Sequence, residues 1–312
     1  MIDFSTLKAL TIPEGVVTKI TREGVVLWEL QNDKPIILEV EKITSDTYAG
    51  ETTYTGEQFI LLDIYPKTNG TVNVTYGGLT KKITDTSGAE EPNAQQVFFG
   101  TFNGVSDSVA TPTSGTLTIE GDCYAFGAGG YGYSSKHNYG CCCICGVVDF
   151  GKVDRIPSNG FGNVVSLASM HKFKQTNITI PSTIKTIGYS AFYSCESLLT
   201  VDMEDGVEII DNLAFSHSGL VEVTLARSIV RIGKNAFISC SALKTVYVMG
   251  TTPSELQINE NISTGETYYS NFGDISSDSF VLEKIVVPKG CGNTYKTATG
   301  WSTYADYIVE AS

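Results

Sequence analysis

The chain has 312 residues, of which 42% are hydrophobic and 18% charged, and it carries a net charge of −13 at pH 7. This length allows two or three units that each bury a core, and the composition excludes a disordered or coiled-coil protein. Because the negative charge repels phosphate groups and no cluster of Lys and Arg offsets it, nucleic acid and anionic membranes are poor candidates as partners. Together with many Thr, Ser and Tyr, the 31 glycines favour a mainly β protein.

Residues 1–30 predict a β-hairpin appendage. Apolar runs at residues 16–20 and 25–28 flank a short turn, and two such strands are marginally stable alone, so Trp28 should pack on the next domain or on a partner chain. Residues 4–17 resemble the short N-terminal module of some phage and prophage structural proteins. This resemblance implies self-assembly through residues 1–30.

The start of the chain lacks a basic region followed by an apolar region. No apolar run reaches the ~18 residues that a membrane-spanning helix needs. We therefore expect no secretion signal in this chain and no insertion into a membrane.

Residues 31–122 contain short alternating apolar runs that are separated by turn dipeptides. The dipeptides are Asn69-Gly70, Gly77-Gly78 and Ser87-Gly88. Strands at this spacing, without helical periodicity, predict a β-sandwich of immunoglobulin-like type, although a barrel would give the same pattern.

Residues 123–163 form a connecting segment that is rich in Gly, Tyr and Cys. Tyr131 and Tyr133 lie among Gly and Ser, a composition typical of adaptable recognition loops, so both are candidate ligand-binding residues for a sugar or a protein. The alternative is an ordered loop whose rings are buried at the junction of two domains.

Two of the eight cysteines, Cys142 and Cys145, form a C-x-x-C pair. With Cys123 and His137 they would supply the four ligands of a tetrahedral structural zinc. The second half of the usual motif is missing and two neighbouring cysteines are left over, so buried or partly oxidised thiols are favoured. We predict neither a metal nor another cofactor.

A repeat runs through residues 164–312. Three Ile-x-x-x-Ala-Phe segments begin at Ile187, Ile210 and Ile232, at spacings of 23 and 22 residues. Other apolar slots follow the same register, namely Leu198, Leu220, Leu243, Val201, Val223, Val246, Met203, Leu225 and Val248. This period is typical of a leucine-rich-repeat solenoid, in which each repeat buries its apolar face against its neighbours.

One slot of the repeat holds Cys195 and Cys240, and we assign His217 to the same slot in the middle repeat. Two rungs at ~4.8 Å separate the cysteines by roughly 9.6 Å, which exceeds the ~7 Å limit for a disulfide. We therefore predict unpaired core thiols and a structural role for His217.

The segment from Ile180-Pro181 to Leu198, with its Ile-Gly-x-x-Ala-Phe turn followed by Cys and Leu, resembles the BspA-like bacterial leucine-rich repeat. The first copy, at residues 166–170, is degraded, and residues 250–279 are an insertion before Phe280. The resemblance implies a β-rich solenoid that serves adhesion or protein recognition at bacterial surfaces, without catalytic residues. It favours a place at the cell surface or outside the cell, or in a virion if the phage resemblance holds.

Strand alternation defines a candidate binding face. If Leu198, Val201 and Met203 point into the core, the residues between them point to solvent. The candidate ligand-binding residues on this face are Asp202, Glu222, Thr224, Thr245 and Tyr247. The alternative is that they only form the solvated surface of a sheet.

The sequence contains no recognisable constellation of nucleophile, base and orienting group, so we predict that the protein is not an enzyme. We expect a binding or adhesion protein that recognises a protein or a cell-surface glycan through the repeat face, in a narrower version a phage- or prophage-encoded host-recognition component. The alternatives are a structural assembly component and, less favoured, a cell-wall polysaccharide hydrolase that would use carboxylates such as Asp202, Glu204 and Asp205.

Overall fold

The structure, a computed structural model, describes residues 19–22, 25–29, 35–42, 59–87, 95–102, 105–106, 108–109, 114–127, 142–162, 173–260, 267–277 and 280–312. The chain divides into two compact units, Met1–Lys34 and Pro35–Ser312. Strands dominate the described residues, which contain one short α-helix and one 3₁₀ helix near the C-terminus.

The first unit contains an antiparallel pair of strands, β1 (Lys19–Arg22) and β2 (Val25–Glu29), with Ile20 opposite Trp28. This pair agrees with the predicted hairpin. Residues 4–17 and the side-chain packing of Trp28, on which the self-assembly prediction depends, lie outside the described residues.

Two antiparallel sheets form the first part of the second unit. Their strands are β3 (Ile36–Lys42), β4 (Phe59–Pro66), β5 (Thr71–Tyr76), β6 (Leu79–Thr84), β7 (Gln95–Phe102), β8 (Val105–Ser106), β9 (Gly115–Gly121), β10 (Cys123–Gly127) and β11 (Cys142–Asp149). One sheet has the order β11-β3-β9-β5-β6 and the other the order β10-β4-β7-β8.

Alternating burial explains why the two sheets pack together. In β5, Val72, Val74 and Tyr76 are buried, and the residues between them are half-exposed. The Tyr76 ring lies 5.7 Å from the ring of Phe99 in the other sheet, so both sheets contribute to one core. The turn between β5 and β6 consists of Gly77 and Gly78, which both have the positive φ that this kind of hairpin turn requires.

The strand order departs in part from that of an immunoglobulin domain. In the three-stranded sheet of that fold, the middle strand pairs with the strand that follows it in the chain. Here β10 follows β9 but pairs with β4 in the other sheet, and β3 takes the place beside β9. The immunoglobulin-like type therefore stays a prediction.

The rest of the second unit is a solenoid with two parallel sheets. Its strands are β12 (Arg155–Ile156), β13 (Asn177–Ile180), β14 (Thr186–Ile187), β15 (Thr200–Met203), β16 (Ile209–Ile210), β17 (Glu222–Leu225), β18 (Arg231–Ile232), β19 (Thr245–Val248), β20 (Glu255–Leu256), β21 (Asn259–Glu260), β22 (Thr267–Tyr268), β23 (Lys284–Val287) and β24 (Ile308–Glu310). The six-stranded sheet has the order β13-β15-β17-β19-β23-β24, and the five-stranded sheet has the order β12-β14-β16-β18-β20. A helix α1 (Gly292–Thr297) and a 3₁₀ helix (Trp301–Tyr307) precede β24.

A column of phenylalanine rings fills the solenoid beneath its third side, where turns replace strands. Phe161, Phe192, Phe215, Phe237 and Phe272 follow one another with ring centroids 5.4, 5.1, 5.2 and 5.7 Å apart. Backbone hydrogen bonds hold the turns at this spacing, since the Phe215 N–H donates to the Ala236 carbonyl over 2.8 Å. The repeated phenylalanine of the sequence is therefore the core residue of each turn.

The same column continues into the structures at both ends of the solenoid. Phe126 of the sandwich lies 5.7 Å from Phe161, and Trp301 and Tyr304 lie 5.5 and 5.4 Å from Phe272. These neighbours keep the first and last turns from exposing an apolar end, as a solenoid requires.

Regular elements occur within residues 123–163, which the sequence assigned to a connecting segment. Phe126 and Val147 are core residues of β10 and β11, and β12 pairs with β14 of the solenoid, while the domain boundaries stay a prediction. The Gly- and Tyr-rich composition obscured the apolar residues that flank it. Phe272 and not Phe280 occupies the phenylalanine slot of the last turn, so the inserted residues end earlier than predicted.

The slot of His217 was also predicted incorrectly, by one residue. Ser218, and not His217, shares the slot of Cys195 and Cys240, and its Oγ lies 3.3 Å from the Cys240 Sγ. His217 aligns with residues that have a left-handed backbone conformation. The left-handed residues of three successive turns are Ser190, Ser194, Leu213, His217, Asn235 and Ser239. The small side chain in the shared slot belongs in the core, whereas His217 is exposed.

We predict that Phe215→Ala will lower the free energy of unfolding by about 3–5 kcal/mol, because it removes a ring stacked on both sides and leaves a cavity. Urea unfolding followed by circular dichroism will measure the change. Val230→Ala is the control, since Val230 is 59% exposed. Equal destabilisation by both variants would contradict the role of the column.

We predict that Leu213→Asn will raise the free energy of unfolding by about 1 kcal/mol, because the φ of 58° at Leu213 is costly for a residue with a branched apolar side chain. Asn occupies the equivalent position of the next turn as Asn235. Leu199→Asn, at an exposed leucine outside the left-handed region, should give no gain in the same assay.

Candidate functional site

The predicted binding face lies on the six-stranded sheet, whose side chains alternate between the core and solvent. Leu198, Val201 and Met203 are buried, which confirms their predicted inward direction. We call the side chains on the opposite surface of the sheet the outer face. It consists of Asn177, Thr179, Thr200, Asp202, Glu222, Thr224, Thr245, Tyr247, Lys284, Val286 and Val309.

The parallel register arranges the outer face in two rows. In one row, Asp202, Thr224 and Tyr247 lie opposite one another on successive strands, and the row continues through Val286 and Val309. Asp202 is exposed, while Thr224 and Tyr247 are half-buried. This row therefore brings together three of the five predicted residues.

The second row contains the other two predicted residues, Glu222 and Thr245, followed by Lys284. Glu222 is half-buried, but Thr245 is only 8% exposed, so the prediction that it offers its side chain to solvent was wrong. The longer side chains of Glu222 and Lys284 stand on either side of this short residue. Thr245 therefore contributes to the sheet surface and little to a binding site.

Asp202 and Glu222 place two carboxylates on neighbouring strands, separated diagonally by about 8 Å of backbone spacing. Neither forms an ion pair with a residue in the described part of the chain. At the rim of the sheet, Lys244 Nζ lies 2.9 Å from Glu283 Oε1. The hydrogen bond between these two side chains raises the pKa of Lys244 and lowers that of Glu283. The two charges of this pair balance each other, whereas the carboxylates of Asp202 and Glu222 have no such balancing charge among the described residues.

Sequence reasoning missed three apolar residues, of which two belong to the outer face and one adjoins it. Val286 and Val309 continue the row of Tyr247, and Met249, two residues beyond Tyr247 on the same side, is exposed. The strand alternation that identified Tyr247 would have found Met249 and Val286. Val309 lies beyond the repeats, and no periodic signal points to it.

The other acidic residues near the face have structural contacts. Glu204 Oε2 accepts a hydrogen bond from the Ser182 N–H of the preceding turn over 3.0 Å. Asp205 Oδ1 accepts one from the Arg227 N–H of the following turn over 2.9 Å, and its other oxygen lies 3.3 Å from Arg227 Nε. Both carboxylates therefore cap backbone groups between turns.

The described cysteines support the prediction of unpaired core thiols. Cys123, Cys195 and Cys240 are free and buried. Burial raises the pKa of Cys123 to about 12 and that of Cys240 to about 11, and it raises the pKa of Cys195 still further. These thiols stay protonated at neutral pH, which makes them poor nucleophiles and poor metal ligands.

The proposed zinc ligands are only partly described. The Cys123 thiol donates a hydrogen bond to the backbone carbonyl of Ala125, two residues further along the chain. His137 and the side chains of Cys142 and Cys145 lie outside the described residues, as do Tyr131 and Tyr133. Within the described ranges, no group of three His, Cys, Asp or Glu residues is placed to hold a metal ion.

The described part of the chain contains no helix that is long and apolar enough to cross a membrane.

Comparison with known proteins identifies the repeats. Residues 165–282 match the model of the BspA type leucine rich repeat region, in six copies. No curated protein matches the chain.

Two solved structures are similar to part of the chain. A leucine rich cell surface protein from Faecalibacterium prausnitzii is 18% identical, with 44% of this chain and 59% of that chain covered and a TM-score of 0.15. A leucine-rich repeat protein from Bacteroides ovatus is 18% identical, with 51% of this chain and 63% of that chain covered and a TM-score of 0.19. The chain thus spans less than two thirds of either relative.

We predict that Cys123, Cys195 and Cys240 in the native chain will resist alkylation by iodoacetamide at about pH 8, while the half-buried Cys291 reacts. A pKa of about 11 at Cys240 instead of 9.0 reduces its thiolate fraction roughly a hundredfold, before any effect of access. Peptide mass spectrometry will measure each site, and the urea-denatured chain is the control. Labelling of Cys195 as fast as Cys291 would contradict the buried slot.

Proposed function

Because residues 165–282 form a BspA-type leucine-rich-repeat region, we propose that the chain is a non-enzymatic binding or adhesion protein that recognises a protein or a glycan through the outer face. The observation that carries this proposal is the contrast between neighbouring carboxylates. Glu204 and Asp205 accept hydrogen bonds from backbone N–H groups. Asp202 and Glu222 point outward without an ion pair among the described residues. Charged side chains without an ion pair among the described residues of their own fold are available to a partner.

The rigidity of the sheet also supports recognition. Every strand of the outer face is fixed by hydrogen bonds to its neighbours and by buried side chains beneath it, such as Val201, Val223 and Val246. The outward side chains therefore hold defined positions before a partner arrives, which lowers the entropy lost on binding.

The hydrolase alternative receives less support from the same residues. A glycosidase needs two carboxylates on opposite sides of the scissile bond. Glu204 and Asp205 are hydrogen-bonded to adjacent turns, and Asp202 and Glu222 lie side by side on one surface. This arrangement suits attraction of a cation better than general acid and base catalysis.

The narrower phage or prophage version of the proposal rests on residues 1–30, which belong to the first unit, Met1–Lys34, a compact unit by itself. If residues 1–30 mediate self-assembly, as in the proposed phage- or prophage-encoded component, their deletion should convert an oligomer into a monomer. Light scattering of the full chain and of the truncated chain will measure the masses. The same number of subunits in both chains would remove the phage version. The assembly alternative, in which the repeat face is buried against another subunit, instead requires burial of Tyr247 in such a complex.

The proposed function is tested with the full chain, because the aromatic contact between Phe126 and Phe161 means that a fragment starting at residue 164 would lose part of its core. We expect saturable binding to intact Gram-positive cells or to proteins extracted from their surface. The double variant Asp202→Lys, Tyr247→Ala should weaken this binding at least about tenfold, a loss of roughly 1.4 kcal/mol or more.

The matched control is Glu208→Lys with Tyr189→Ala, which likewise reverses one carboxylate charge and removes one tyrosine ring, at exposed positions beside the five-stranded sheet. This control should bind like the wild type. Equal loss in both variants would show a general effect of charge, and release of reducing ends from wall polysaccharide by the purified chain would instead support the hydrolase.

A further inference from the structure

The outer face is divided along the solenoid axis into two chemically different halves. The half formed by β15 and β17 carries the carboxylates of Asp202 and Glu222, with the rim residue Glu204 beside them. Within the described ranges, no lysine or arginine belongs to the outer face of these two strands. A cationic partner group would find two negative charges here, on residues whose backbone positions are about 8 Å apart.

The half formed by β19, β23 and β24 carries a row of apolar side chains, with Lys284 beside it. Tyr247, Val286 and Val309 lie opposite one another in a single row, and the exposed Met249 lies two residues beyond Tyr247 in the chain. Val309 is 44% and Met249 47% exposed, values high for large apolar side chains on one surface. A contiguous apolar patch of this kind commonly marks a contact with another molecule.

We infer that the partner of the outer face is a polypeptide, and that it contacts the face through an extended segment with Lys or Arg at one end and apolar side chains at the other. This inference rests on the proposed function and specifies the partner class. Lysine or arginine would neutralise Asp202 and Glu222, and the apolar side chains would cover the row from Tyr247 to Val309.

The dimensions of the face set the length of the segment. Asp202 and Val309 are separated by four strand spacings, which amounts to about 19 Å. An extended chain rises about 3.3 Å per residue, so roughly six residues cross this distance. The segment therefore needs its basic residue about four to six positions away from its last apolar residue.

Lys284 fixes the direction of the segment. It lies on β23, in the row of Glu222 but two strands further along. Its charge repels a basic residue at the apolar half, whereas the carboxylates attract that residue at the other half. The segment is thereby held in one of its two orientations across the strands.

A glycan fits these two halves less well. An anionic glycan is repelled by Asp202 and Glu222, and a neutral one leaves both carboxylates without a cationic partner. Hydroxyl groups placed against Val286 and Val309 would lose hydrogen bonds to water without replacement. A polypeptide supplies the complementary chemistry to both halves at once.

The test is selection of random 12-residue peptides on the full chain and on three variants. The wild type should select peptides in which a Lys or Arg lies about four to six residues before or after the last apolar residue of the segment. In the variant Asp202→Lys, Glu222→Lys, the enrichment of Lys and Arg among the selected peptides should fall about tenfold, while the enrichment of apolar residues stays the same. The apolar-half variant Val286→Ser, Val309→Ser should do the reverse.

The control Glu208→Lys, Tyr189→Ala should select the wild-type motif, and thermal unfolding of all four chains verifies that each is folded. The same enrichment in the wild type and in both outer-face variants would overturn the inference. No selected peptide, together with binding to arrayed glycans that Asp202→Lys abolishes, would overturn the polypeptide partner but leave recognition by the outer face in place. Absence of both peptide and glycan binding would overturn the proposed function as well.

Discussion

Stacking of successive turns at the spacing of parallel strands is the constraint on which the solenoid depends. Each turn has its apolar face covered only by the turns before and after it, so every inward residue must fit its equivalents in the neighbouring turns. The rings of Phe192, Phe215 and Phe237 meet this requirement, with centroids 5.1 and 5.2 Å apart and nearly parallel planes. The same requirement explains Gly206, where a Cβ atom would lie 2.1 Å from the Ser182 carbonyl oxygen of the adjacent turn.

The stacking constraint also decides which polar residues are available for function. At the corners between sheets, backbone groups need partners in the next turn, and the side chains of Glu204, Asp205 and Ser228 supply them. On the outer face, the strands already satisfy their backbone groups with each other. The side chains of Asp202 and Glu222 therefore have no backbone group to satisfy within the described residues, which is the physical basis for the proposal that they serve recognition.

Both ends of the stack depend on residues outside the regular repeats. At one end Phe126 of the sandwich packs on Phe161, and at the other Trp301 and Tyr304 pack on Phe272. Trp301 Nε1 donates a hydrogen bond to the Ser254 carbonyl over 2.7 Å, and the Tyr295 hydroxyl donates one to the Gly250 carbonyl over 2.8 Å. The sandwich, the solenoid and the C-terminal helices thus share a continuous core, and the outer face is presented on a rigid support.

The sequence by itself determined the features that follow from periodicity. A recurrence of 22 and 23 residues identified the inward slots of Leu198, Val201 and Met203, and strand alternation then placed Asp202 and Tyr247 on the opposite surface. These inferences succeed because a period in the chain corresponds directly to a repeated environment in space.

Only the tertiary structure decided the features that depend on contacts between distant or irregular segments. Phe272 enters the phenylalanine column after an insertion whose length hides its register, and Phe126 joins the column from a different fold. Thr245 is buried between neighbours with longer side chains, and Val309 belongs to the outer face although it lies beyond the last repeat. In each case a residue's role is set by what lies beside it in space, and no spacing along the chain encodes that neighbour.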